Sequence, residues 1–114
     1  MELNMISASL IVPLLLSTQM MAGNERQQLS RCLRGFVDTK LEERIAPEAF
    51  DTAVAGACAQ QEAAYRAAYI AAATRAGDPR TAAERDAGTE VEDLRANYKE
   101  LFRNAQPEPS GRSQ

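Results

Sequence analysis

The chain has no histidine and no tryptophan, only two lysines (Lys40 and Lys99), and just three phenylalanines and three tyrosines. The missing imidazole removes the commonest general base and the commonest metal ligand, so Ser-His and Cys-His nucleophilic sites have nothing to be built from. No glycine-rich phosphate loop and no haem-attachment motif occurs. The residues therefore predict no enzyme, no cofactor and no metal centre. Thirteen basic residues against 16 acidic ones give a net charge of −3, which offers no electrostatic footprint for nucleic acid. A bilayer-spanning run is missing too. The apolar stretch Ile6 to Leu16, interrupted by Ser7, Ser9 and Pro13, falls short of the roughly 20 residues that a span requires.

What the N-terminus does have is an order: an apolar stretch, then the polar Ser17-Thr18-Gln19, then Met20-Met21-Ala22-Gly23. This order predicts a signal peptide over 1–22, with Glu2 where a basic residue is usual and a bulky Met20 three before a cut after Ala22. The competing reading is an N-terminal helix buried in the fold. No cysteine follows the apolar stretch closely, so there is no lipid attachment point, and no stable membrane span is expected after leader cleavage. Cleavage removes one acidic residue, Glu2, and no basic one. The expected compartment is the bacterial periplasm or the medium, and the excess of alanine and arginine over lysine suggests a GC-rich bacterial source.

The rest of the chain predicts an all-α domain over 23–105, a small antiparallel three-helix bundle, followed by a disordered tail over 106–114. Asn24 and Gln27 have the spacing of a capping box, after which Leu29, Cys32, Leu33, Phe36 and Val37 recur at helical steps. This first helix is expected to run out near Arg44, because Ala46-Pro47 disfavours helix before the proline and suits proline at the first position of the next one. A second helix then carries Phe50, Val54, Ala57, Cys58, Gln61, Tyr65 and Tyr69 on one face and ends at Gly77. Its other side is largely alanine, which predicts a helix sandwiched between the first and third. The third starts at Asp78-Pro79 and buries Ala87, Val91, Leu94, Tyr98, Leu101 and Phe102, as one helix with a bend allowed at Gly88. The expected core is Leu33, Phe36, Val54, Tyr65, Leu94, Tyr98 and Leu101. Beyond Gln106 the residues Pro107, Pro109, Ser110 and Gly111 have no apolar periodicity.

Cys32 and Cys58 are centred on residue 45, beside the expected turn, so antiparallel packing brings them level and predicts a disulfide. The bridge needs Cα atoms within about 7 Å, closer than ordinary helix pairs, and Gly35, Ala57 and Ala59 are the small neighbours that would allow it. Two reduced buried cysteines are the alternative. On the third helix, Asp86, Glu90, Asp93, Asn97 and Glu100 form an acidic stripe at steps of three and four. As a candidate cation stripe, Asp86, Glu90, Asp93 and Glu100 could gather hard cations or buffer envelope stress. A solvated flank balanced by Arg85, Arg95, Lys99 and Arg103 is the plainer reading. Tyr65, Arg66, Tyr69 and Ile70 form a candidate partner contact, tyrosine and arginine being enriched at interface hot spots, against the plainer reading of tyrosine hydroxyls at a core edge. These residues predict a small protein-interaction module with an unknown protein or envelope partner.

The segments Arg31-Cys32-Leu33, Gly35-Phe36-Val37, Pro47-Glu48-Ala49-Phe50, Ala57-Cys58, Glu62-Ala63-Ala64-Tyr65-Arg66, Val91-Glu92-Asp93, Asn97-Tyr98 and Leu101-Phe102, by their loose spacing, resemble small exported helical proteins of Gram-negative bacteria with no known activity. The resemblance implies export and a helical fold, and lends no active site.

Overall fold

The computed structural model describes residues 3–106, with side chains from residue 23 onward. Four helices follow one another: α1 (Leu3–Glu43), α2 (Pro47–Val54), α3 (Ala59–Arg75) and α4 (Arg80–Asn104). The three long ones form an antiparallel bundle, and the short α2 docks mainly on α4. The boundaries expected at the first turn are close to those found. Arg44 leaves α1 in the left-handed region at φ 60°. Ala46 is extended (φ −70°, ψ 151°), as a residue before proline must be, and Pro47 opens α2.

At its other end α1 departs from the expected start. The helix runs unbroken through Asn24, so the Asn24–Gln27 capping box lies inside a helix and caps nothing. Leucine, methionine, alanine and glutamine before Asn24 favour propagation once a helix is nucleated. The tail expected from residue 106 lies outside the described residues, save for Gln106. This residue follows the cap of α4, its Nε2 donating to the Phe102 carbonyl at 3.1 Å.

The second expected helix is two helices. Residues 55–58 form a turn, and Cys58 sits at φ 64°, ψ 39°, a left-handed conformation that no helix interior contains. The carbonyl of Val54 accepts from the Ala57 N–H at 3.2 Å and from Arg95 Nη1 at 2.5 Å, instead of from the Cys58 N–H four residues on. The break turns Phe50 and Val54 onto α4 independently of the direction taken by α3. Nor is α3 sandwiched. All three long helices pack against one another, and Ala63, Ala67 and Ala71 face outward, exposed.

Gly77, at φ 108°, closes α3 as anticipated. Its N–H donates to the Thr74 carbonyl at 3.0 Å and the Asp78 N–H donates to the Ala73 carbonyl at 3.0 Å, the paired bonds of a Schellman motif. Pro79 is the cap of α4 rather than its first residue, and α4 is continuous through Gly88.

The core is built from Leu29, Leu33 and Val37 of α1, Phe50 and Val54 of α2, Tyr65 of α3, and Val91, Leu94 and Phe102 of α4. Phe50 is its centre, stacked on Phe102 with centroids 4.1 Å apart and meeting Phe36 at 5.7 Å. Of the expected core, Leu33, Val54, Tyr65 and Leu94 are buried. Phe36, Tyr98 and Leu101 pack against the cluster but remain half-exposed, because the register of α1 and α4 gives the innermost places to Leu33, Val37 and Phe102.

Candidate interaction surface

Cys32 and Cys58 lie at disulfide distance, with Cα atoms 6.0 Å apart, and tie α1 to the turn between α2 and α3. Gly35 is not what allows this approach, since a Cβ there would meet nothing within 4 Å. The left-handed Cys58 instead carries the backbone toward α1.

The four residues of the expected partner contact do not share one fate. Tyr65 is 3% exposed and belongs to the core, which matches the plainer reading of it. Its hydroxyl is pushed above the usual phenol range by burial, with the Glu90 carboxylate adding and Arg26 opposing. Arg66, Tyr69 and Ile70 stay half-exposed on α3. Tyr69 meets Tyr65 edge-on at 6.2 Å, and its hydroxyl too is raised, first by burial and then by Asp86 and Glu90. The acidic stripe thus flanks the tyrosine edge of α3.

Beside this edge lies a feature that the sequence reading misplaced. Arg95, expected on a solvated flank, is 8% exposed and is the buried charge of the core. Its Nη1 takes the Val54 carbonyl at the end of α2, and its Nη2 bonds Glu62 in the first turn of α3. Glu62 also accepts from Arg66 Nε at 2.7 Å, which completes an Arg–Glu–Arg bridge across α3 and α4. Burial pushes the Glu62 carboxyl up, but the hydrogen bonds from Arg95 and then Arg66 outweigh it and hold the group below its usual 4.5. Periodicity offered the signal: Arg95 is four residues after Val91 and seven before Phe102, on the buried face of α4. Arg103, placed on the same flank, is likewise engaged, with Asp51 of α2 at 2.6 Å.

Asp86 and Glu90 are half-buried, whereas Asp93 and Glu100 are exposed. Among the described residues no three acidic, cysteine or histidine side chains converge to hold a metal ion. Also among the described residues, no helix is long and apolar enough to cross a membrane. The chain matches no family model, no curated protein and no solved structure, so its surface must be read from its own residues.

Proposed function

We propose that the chain is an exported, crosslinked helical scaffold of the periplasm or medium that binds a protein or envelope partner through the α3 face carrying Arg66, Tyr69 and Ile70. The observation that carries this reading is the placement of those side chains. They are half-exposed on a helix whose neighbouring Tyr65 is locked in the core and whose first turn is clamped by Arg95. Pre-ordered aromatic and arginine side chains lose little entropy on association, which suits them to anchor a partner. Export is supported by the order of residues in the leader and by a cysteine pair at bonding distance, since such bridges persist in oxidising compartments. Cleavage after Ala22 would leave Asn24 near a new helix start, where its side chain gains a capping role. The resemblance to small exported proteins of Gram-negative bacteria points the same way.

Crosslinking capture from a bacterial envelope, with Tyr69→Ala and Ile70→Ala beside the parent chain, tests the binding half. Loss of the captured partner in either variant is the expected result, and identical capture by both overturns it. Cell fractionation combined with alkylation in the absence of reductant tests the export half. A cytoplasmic protein whose two cysteines both react would remove that half.

A further inference from the structure

The Cys32–Cys58 bridge lies outside the buried core. Both cysteines are half-exposed and open onto a shallow depression lined by Gly35, Phe36, Thr39 and Ala57. A Cβ at Gly35 or at Gly56 would meet nothing within 4 Å, so neither wall beside the pair is crowded. Cys58 holds a left-handed backbone, which is costly for a residue with a side chain. Its neighbours Gly56, Ala57 and Ala59 carry nothing larger than a methyl group. The two ends of this turn are held by one residue of α4. Arg95 bonds the carbonyl of Val54, the last residue of α2, and the carboxylate of Glu62 in the first turn of α3. Neither bond involves a sulfur, so both persist when the bridge opens.

We propose that the bridge is a reversible redox clasp: a small monothiol of the glutathione class opens it by exchange at Cys58, and opening loosens the 55–58 turn alone. This goes beyond the binding and export readings and depends on neither. The attacking thiolate bonds to Cys58 Sγ, and the electron pair of the S–S bond leaves on Cys32 Sγ, which takes a proton. A second thiolate then attacks the added sulfur, and Cys58 departs as a thiolate and is protonated. Two external thiols have become one disulfide, and the protein has gained two electrons and two protons. Cys58 is the sulfur attacked because the nucleophile approaches from the side opposite the leaving sulfur, where access decides the rate. At Cys58 that side is the small-residue turn. At Cys32 it is the body of α1, with Phe36 one turn on. The effect stays local because Arg95 brackets the freed segment at Val54 and at Glu62.

The test treats the full chain with reduced glutathione in a series of urea concentrations below its unfolding transition, quenches by alkylation and reads the products by mass. The expected rate does not change with urea, because the folded chain presents the bond. Exchange that required unfolding would instead accelerate about fivefold or more per molar urea. Peptide mapping of the quenched intermediate should find glutathione on Cys58 and the alkyl group on Cys32. Nitrogen-15 relaxation of the fully reduced chain reads the second half of the proposal. Order parameters of residues 55–58 should fall below about 0.6, while those of Val54, Glu62 and Leu94 stay near about 0.85. A rate that climbs with urea, or glutathione found on Cys32, overturns the exchange site. A turn as rigid as before, loosening that spreads to Val54 or Glu62, or loss of helical circular dichroism on reduction overturns the clasp.

Discussion

A guanidinium held at 8% exposure survives only if its surroundings replace the water it has lost, and Arg95 has a backbone carbonyl and a carboxylate to do so. Removing it leaves the Val54 carbonyl without its charged donor and Glu62 with one cation fewer. Arg95→Met is therefore expected to cost roughly 2–4 kcal/mol, more than a surface ion pair is worth. Urea denaturation reads the loss directly, and a cost under about 1 kcal/mol would show that Arg95 clamps nothing. Glu62 adds a pH dependence. Its carboxyl titrates lower in the folded chain than the ordinary 4.5, so the stabilisation it gives is present above that value and fades as pH falls through the folded one. Glu62→Gln should flatten this part of the acid limb in plots of unfolding free energy below pH 4.5. A slope equal to that of the parent chain would assign the acid sensitivity to other groups.

At the scale of the element, two glycines, one just past the end of α3 and one inside α4, carry opposite expectations. Gly77 adopts φ 108°, where a side chain is strained whatever space surrounds it, so Gly77→Ala should destabilise by about 1 kcal/mol. Gly88 sits inside a continuous helix, and a Cβ there would first meet the tip of the flexible Arg66 side chain at 3.4 Å. Gly88→Ala should raise stability by up to about 1 kcal/mol through helix propensity alone. Thermal unfolding of the pair decides the matter: shifts of the same sign would contradict the assigned backbone conformations. The eight-residue α2 is held by packing rather than propensity, for a helix so short is not stable by itself. Its anchor is Phe50, fully buried and stacked on Phe102. Phe50→Ala is expected to cost about 3–5 kcal/mol, and a denaturant midpoint near that of the parent would refute the central place given to it.

For the whole molecule, the crosslink between Cys32 and Cys58 acts on a core that is small and rich in alanine. Closing a loop of 26 residues restricts the unfolded chain by about 3.5 kcal/mol on the loop-entropy estimate. A domain of this size has only a modest net stability, so reduction should consume much of it. Denaturation with and without reductant measures this, and intact mass after alkylation verifies that the pair is bridged beforehand. The bundle should remain helical on reduction. The break between α2 and α3 is held by the Val54 carbonyl–Arg95 bond and by burial of Phe50 and Val54 as well as by the sulfurs.

By itself the sequence determined the all-helical class, the end of α1 near Arg44, the proline start of α2, the glycine close of α3 and the pairing of the two cysteines. Each of these is a local or symmetric property: a 3.6-residue period, the forced extension before Pro47, the freedom of Gly77, and two cysteines centred on a turn. Only the tertiary structure decided that the stretch after Pro47 breaks at Cys58. Its apolar spacing continues without interruption, although Gly56 within it disfavours helix. The break instead satisfies contacts with residues some 40 positions away. For the same reason the interaction surface was half legible. Helical spacing put Tyr65, Arg66, Tyr69 and Ile70 together, but the packing of α1 and α4 sent Tyr65 inward and left the other three outside. Arg95 was hidden by its residue type: a charge is assigned to solvent unless partners are known, and its partners come from helices distant in sequence.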